Sequence, residues 1–505
     1  MDPQVLVVGA GPVGLTVAAE LARYGVAIRV VEKAPTRTDK SKALVLWSRT
    51  LELLDRAGCS HKFVAAGHRV DAANVLAGTK LIAHASIATV ESPYRYALML
   101  PQSETERLLD EHLNSLGVQV EREVELMTFT EADGRVTATL RHADGRDEQL
   151  TVDWLVGSDG CHSTVRHTLG LEFLGNTLES HWILADVHLR GYPFPESEIA
   201  TFWHADGVLV FFPISPGRFR VIANIEAPAG GGKAPDPTLA DVQAVVDHRG
   251  PGNVLLSEPI WLAAFRINER KVADYRRGRV LLVGDAAHVH SPAGGQGMNT
   301  GMQDAINLVW KLAMVCRGAC HDGPLLESYS IERSAIGAQV LAAAGRLTAL
   351  GVMKNQAAQA IRNLVGRLVL GLAPVQRKLV NQMTEVSIGY DESPLNGPSL
   401  HGLMMPGLAS GPQPGRRVPP RDGQVPFGSG NEPLFTLCAE PDEAVERLLA
   451  KFPKLIDPEL HVPFAAGGMW LVRPDGYAAC SAKAGDERTI SEYLDHVSGR
   501  NGGRR

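Results

Sequence analysis

Val5-Leu6-Val7-Val8-Gly9-Ala10-Gly11-Pro12-Val13-Gly14 decides the fold of this chain. Four apolar residues running into G-x-G-x-x-G read as a buried strand, a tight turn and the opening of a helix. Residues 15–24 keep helical apolar spacing, Gly25 stops them, and residues 27–32 read as a second strand. This is a β-α-β unit. Gly9 permits the turn, Gly11 lets the backbone approach a pyrophosphate, and Gly14 allows helix and strand to come close. Pro12 and Val13 lie in the same turn as candidate cofactor contacts, and the N-terminus of the helix that follows adds partial positive charge beside those phosphates. Glu32, followed by Lys33, ends the second strand, near the offset of roughly 20 residues expected of an acid that accepts a ribose hydroxyl pair. A carboxylate there repels a 2′-phosphate, which points to FAD or NAD rather than NADP.

Two distant stretches extend the same pocket. Gly157-Ser158-Asp159-Gly160-Cys161-His162-Ser163-Thr164-Val165-Arg166 follows a strand at 154–156, and Asp285 follows another at 280–283. An acid just past a strand end can accept a hydrogen bond from a ribose or ribityl hydroxyl. Beyond Asp285 comes Pro292-Ala293-Gly294-Gly295-Gln296-Gly297-Met298-Asn299, ahead of a long helix from about 301 to 316. Backbone N–H groups at Gly295, Gln296, Gly297, Met298 and Asn299 suit the negative charge of a reduced isoalloxazine ring. Either acid–glycine pair alone is an ordinary turn. With the glycine turn, and in this order, the three stretches describe a flavin site.

Bulk properties exclude other classes. At 505 residues the chain has room for two to four domains, and its net charge of −6 gives no basic field for nucleic acid. The 17 histidines form no H-x-x-x-H, no C-x-x-C occurs, and His288 with His290 lacks further ligands, so no metal is expected. Six unpatterned cysteines indicate a reduced, cytoplasmic protein; Cys316 and Cys320 read as a packed pair on one helix face. No basic leader precedes the first strand. Arg346, Arg362 and Arg367 interrupt the longest apolar runs, so no membrane partner is expected.

The fold class expected is α/β: a Rossmann-like FAD-binding domain with an inserted β-sheet substrate domain and a small α/β terminal domain. The boundaries read as 1–174 and 271–390 for the two parts of the FAD domain, with a helical segment in the second. Residues 175–270 form the β-rich insert and 391–505 the terminal domain. The insert's apolar segment (Phe202, Trp203, Val208, Val210, Phe211, Phe212) reads as a roof over the pocket, with Phe202, Val210 and Phe212 of one parity. Plain sheet core is an equal reading for each. His204, His288 and His290 are base candidates, but a structural role suits each better, and no catalytic side chain is named.

These residues resemble the group A flavoprotein monooxygenases, the para-hydroxybenzoate hydroxylase-like aromatic hydroxylases, from about residue 4 to 335. Ser48-Arg49-Thr50-Leu51-Glu52, Leu100-Pro101-Gln102 and Tyr329-Ser330-Ile331-Glu332-Arg333 add to the likeness. From about 393 the tail, marked by Leu471-Val472-Arg473-Pro474-Asp475-Gly476-Tyr477, resembles the thioredoxin-like domain of the phenol and polyketide hydroxylase branch. Its lack of C-x-x-C implies an interaction role, compatible with a homodimer. The resemblance implies FAD held by Glu32 at the adenosine ribose and by Asp285 at the ribityl chain. Gln102 would sit beside the flavin, Gly295 to Asn299 along the ring edge, and Pro292 near the reactive C4a face and the substrate. Asp159 and Arg166 would lie where FAD and a transient NADH or NADPH cross. Many relatives carry arginine where this chain has Lys42, which neutralises phosphate without a bidentate fork. The implied chemistry is hydroxylation of a phenolic or polyketide-like aromatic with O2, through a flavin C4a-hydroperoxide. Baeyer–Villiger-type insertion, antibiotic inactivation, a flavin-bound protein shielding an intermediate, and a flavin-free NAD dehydrogenase are the alternatives.

Overall fold

A computed structural model describes residues 2–499 except 40, 229–231, 233, 354, 401–410 and 422. Its central sheet has the order Arg276–Arg277, Val280–Leu282, Trp154–Gly157, Val5–Val8, Ile28–Glu32, Val120–Arg122. The pairings from Val280–Leu282 outward to Val120–Arg122 are parallel. Strands Val5–Val8, Trp154–Gly157 and Val280–Leu282 are buried throughout, as continuous apolar runs in a covered parallel sheet must be. The three sequence stretches thus begin at the C-terminal ends of three adjacent parallel strands. In an open α/β sheet that edge forms the ligand crevice.

The helix Pro12–Arg23 packs on this sheet and on the long helix Gly297–Cys316, which begins four residues before the expected 301. It ends at Cys316, so Cys316 and Cys320 do not share a helix face; a turn separates them, and the Cys320 thiol meets Met314 Sδ at 3.8 Å.

The second sheet is larger than the 175–270 insert. Its eight strands run His288–Val289, Leu255–Lys271, Leu174–Arg190, Arg218–Ile225, Gly207–Ser215, Glu198–His204, Ala72–Ala77, Lys80–Ser86. A hairpin from 72–86 completes it by pairing parallel to Glu198–His204. Hydrophobic alternation in a hairpin does not tell which distant strand it will join, so the insert is not contiguous in sequence. One face of the sheet, with Phe202, Leu209, Phe211, Phe219 and Val221, packs on Val242 and Val246 of helix Leu239–Arg249. The other faces the nucleotide domain.

The terminal segment forms a three-stranded antiparallel sheet (Thr436–Cys438, Gly468–Val472, Ala478–Lys483) with helices Glu443–Lys451 and Glu487–Val497. Buried ion pairs fasten it to the nucleotide domain. Arg473 donates to both oxygens of Glu332 at 2.7 and 2.9 Å, and Lys311 meets the same carboxylate at 2.8 Å. Arg49 donates to Asp475 O at 2.6 Å. Removing one partner from such a cluster strands a buried charge. Burial pushes the Cys438 thiol up to about 12 and raises that of Cys480 as well, so thiolate chemistry has no footing here.

Candidate active site

A cavity of about 420 Å³ opens at the C-terminal edge of the parallel strands. Gly11, Pro12 and Val13 line one part, Ser158, Gly160 and Cys161 another, and Asp285, Pro292, Gly295, Gly297 and Met298 a third. The fold therefore brings all three stretches to one space. Ser158 joins the first two, its hydroxyl donating to Val8 O at 2.8 Å. Arg166 joins the second and third, donating to Cys161 O at 2.8 Å and Ala286 O at 3.0 Å, with Phe173 under its guanidinium.

Two helices aim their N-termini into this cavity. Neither Pro12–Arg23 nor Gly297–Cys316 has a side-chain cap or an acid in its first turn. Their leading N–H groups lack intrahelical partners and carry the positive ends of the helix dipoles. A Cβ on Gly14 would fall 1.9 Å from Gly9 O, so that glycine is required by helix–strand contact. A Cβ on Gly11 would meet nothing within 4 Å. Protein contacts therefore do not require that glycine, and its open face leaves the helix end accessible from the cavity.

Asp285 lies in the turn Gly284–Ala286 and lines the cavity. Water reaches its carboxylate through that space, yet the protein crowded around it raises its pKa, opposed by the charges of His288 and Lys42. It has no hydrogen-bond partner among the described residues, a free acceptor suited to a ligand hydroxyl. The loop that carries it is held from beneath. Asp304 accepts from Gly284 N at 3.2 Å and pairs with His288 Nε2 at 2.7 Å and Arg333 Nε at 2.6 Å. Burial opposes its charge, but Arg333 and His288 still hold its pKa below the ordinary carboxylate value. His288 thus supports the loop.

The segment 41–47 closes the opposite wall. Ala43 donates to Gln102 Oε1 at 3.2 Å and Gln102 N donates to Ser41 Oγ at 2.6 Å. Asn299 accepts from Trp47 N at 2.9 Å and donates to Val45 O at 2.8 Å. Lys42 lines the cavity with its side chain exposed, and its carbonyl accepts from Arg220 at 3.0 Å.

Not every residue singled out from sequence reaches the cavity. Glu32 stands at the strand end with its carboxylate on Ala10 N and Ala34 N, each at 2.9 Å, outside the lining. Lys33 is exposed beyond it. Asp159 turns to Val165 N at 3.1 Å, at the start of the helix Thr164–Thr168. Gln296 turns to Gln382 O at 2.9 Å. Phe202 is the clear correction. It pairs with Leu209 and meets Phe211 edge-on at 5.8 Å, on the sheet face that covers the helix Leu239–Arg249. Val210 and Phe212, one residue out of step with that face, lie on the nucleotide side, and Phe212 lines the cavity. The parity count failed because a turn reverses the chain between Phe202 and Val210.

The sheet contributes lining residues that were missed. Arg220 and Ile222 come from the strand Arg218–Ile225, where the alternation of Arg218, Arg220 and Ile222 against Phe219 and Val221 offered a signal. Arg220 is buried and grips Asp186 with both guanidinium arms, at 2.7 and 2.9 Å. His290, seen as a base candidate, also lines the cavity. Burial pushes its pKa down to about 4, so it is neutral near pH 7, with Nδ1 on Ser291 O. His204 lies with Asp206 and His248 outside the lining.

The free acceptor at Asp285, the open face of Gly11 and two helix N-termini without side-chain caps fit an FAD, and comparison with known proteins agrees. Residues 2–344 match the family model described as FAD binding domain. The chain is 36% identical over 532 residues to 6-methylpretetramide 4-monooxygenase of Streptomyces rimosus, covering 97% of this chain and 93% of that one. An anhydrotetracycline hydroxylase from Streptomyces rimosus superposes with TM-score 0.78 at 27% identity, over 99% of both chains. Aklavinone-11 hydroxylase, solved with FAD and aklavinone, superposes with TM-score 0.78 at 26% identity, again over 99% of both. The chain belongs to the FAD-binding-domain family, among its FAD-dependent aromatic monooxygenases.

Proposed function

We propose that this enzyme hydroxylates a polycyclic, phenolic aromatic compound of polyketide type, drawing on NAD(P)H and O2. The observation that carries the reading is a single cavity with cationic helix ends and Asp285 on one side and an apolar sheet face on the other. Bound FAD would supply hydride acceptance and oxygen activation, chemistry that side chains cannot perform.

The N-terminus at Gly11 and Val13 would hold the pyrophosphate, Glu32 the adenosine ribose and Asp285 the ribityl hydroxyls. The N–H groups of Gly297 and Met298 would face the ring edge, where charge accumulates on reduction. Phe212, Ile222, Val289 and Pro292 form a water-poor wall for a flat apolar substrate. Arg220, neutralised by Asp186, fixes that wall to the Lys42 carbonyl and so couples substrate sheet and cofactor wall. Asp159 and Arg166 remain our candidates for the nicotinamide approach.

The test is a screen of phenols and polyketide-like aromatics for stimulation of NADH and NADPH oxidation, with products identified by mass and NMR. A gain of one oxygen as a ring hydroxyl supports the proposal. An expanded ring, or cofactor oxidation that no aromatic compound stimulates, refutes it.

A further inference from the structure

The helix Gln356–Val369 is built inside out. Ile361, Leu364, Val365 and Leu368 recur at i, i+3, i+4 and i+7, which places them on one helix face. They are 48–65% exposed, and Leu372 just beyond is 55% exposed. The face turned inward is the polar one. Gln359 donates to Ala205 O at 2.9 Å, and Arg362 lies 4.5 Å over the Trp203 ring and donates to Leu350 O at 2.6 Å. Gly366 sits against Ile82, which an added Cβ would meet at 3.3 Å. An amphipathic helix on a globular protein ordinarily buries its apolar stripe. Here the stripe is outside, and a cluster of this kind marks an interaction surface.

Charge identifies the partner. Between residues 334 and 384 the chain has six Lys or Arg and no Asp or Glu, although its net charge is −6. Arg367, Arg377 and Lys378 are exposed near the stripe. The neighbouring strand Lys80–Ser86 adds exposed Lys80 and no acid. Asp206, in the turn that Gln359 holds, is bonded to His248 at 2.7 Å.

We propose that this face docks peripherally on an anionic lipid surface, contrary to the expectation of no membrane partner. A bilayer interface offers hydrocarbon to Ile361, Leu364, Val365 and Leu368 and phosphates to the flanking cations together. A second copy on the stripe would set cations against cations with no acid in the segment to neutralise them. The stripe also offers no hydrogen-bonding side chain to fix the register of a protein partner. Among the described residues no single helix is long and apolar enough to cross a membrane, and the contact proposed is interfacial, through the exposed face of Gln356–Val369 alone.

Flotation of the full-length, FAD-loaded protein tests this, using phosphatidylcholine vesicles with and without phosphatidylglycerol. The protein floats with the anionic vesicles and not with the neutral ones, and high salt releases it. Leu364→Ser with Leu368→Ser abolishes flotation. Arg367→Glu with Arg377→Glu and Lys378→Glu weakens partition by more than tenfold, since each basic residue near such a surface is worth roughly fivefold. Both variants keep the wild-type flavin spectrum and melting temperature, because the altered side chains are exposed. No flotation of the wild type, or equal flotation of the variants, overturns the proposal. So does a wild-type dimer that becomes monomeric in the Leu364/Leu368 variant without any lipid binding.

Discussion

Replacing Gly11 by alanine separates damage to the cofactor from damage to the fold. Gly11 has φ −74° and ψ −177°, a conformation alanine adopts freely. Its added methyl meets no protein atom within 4 Å. The apoprotein of Gly11→Ala should therefore melt within a degree or so of wild type. The methyl enters the space where the pyrophosphate would approach the helix N–H groups, and the cost falls there. Disrupting one charge-assisted hydrogen bond costs ~1.5–3 kcal/mol, which weakens FAD binding roughly 10- to 100-fold. Gly14→Ala is the control. Its Cβ would stand 1.9 Å from Gly9 O and 2.5 Å from Ser158 Oγ, so helix and strand must separate and the apoprotein itself loses stability, by ~1–3 kcal/mol or more. Apoprotein titrated with FAD, followed by quenching of flavin fluorescence, reads the first effect; calorimetry of the two apoproteins reads the second. Wild-type FAD affinity in Gly11→Ala would refute the placement of the pyrophosphate.

Three further outcomes follow from the packed interior. Arg220→Met leaves Asp186 buried with only Arg218, 3.7 Å away, and should cost ~3–5 kcal/mol; adding Asp186→Leu should restore most of the melting temperature, and failure to do so would show that the pair is not the cause. Phe212→Ala should raise KM for the aromatic substrate with little loss of stability, whereas Phe202→Ala should cost ~3–5 kcal/mol and leave substrate preference unchanged; the opposite assignment of effects would reverse the two sheet faces. Glu385 is buried, accepts from Thr300 Oγ1 at 2.7 Å and from Gln303 at 2.5 Å, and burial pushes its pKa up to about 8. The folded state then holds a proton that the unfolded state releases near its ordinary value of 4.5, so this group's contribution falls by up to ~1.4 kcal/mol per pH unit between those pKa values and levels off above about 8. Glu385→Gln should flatten that part of the stability–pH curve, and an unchanged slope would sink the assignment.

The nucleotide half of the site was legible because its signals are local. The glycine turn needs only the strand before it and the helix after it, and each acid follows its own apolar strand within a residue or two. Parallel strands buried on both faces read as unbroken apolar runs, so Val5–Val8, Trp154–Gly157 and Val280–Leu282 were visible one at a time. Their adjacency was not in any one stretch; the need of one ligand for all three supplied it. The singled-out residues that do not line the cavity are those in which a side chain had a second local use. Asp159 satisfies the N–H of Val165 and Gln296 a carbonyl at Gln382, and a motif does not say which partner its polar atom will take.

The substrate half was illegible for a reason of geometry. A strand's inward face is fixed by pairing register, and the two-residue turn 205–206, which pairs His204 with Gly207, inverts the parity count made across it. Phe202 and Phe212 are both aromatic and both in strands of one sheet, yet the register Phe202 with Leu209 and Phe212 with Arg220 sends them to opposite faces. The same register places Arg220 beside Asp186 on the neighbouring strand, a pairing between residues 34 apart that no periodicity announces. Burial of that charge is tolerable only because its partner is already in place. Local sequence specifies the alternation of polar and apolar residues, and the pairing of distant strands decides which alternation meets the cofactor. That division leaves the motif residues of the cavity within reach of a local reading, and the sheet residues Phe212, Arg220 and Ile222 that line it beyond one.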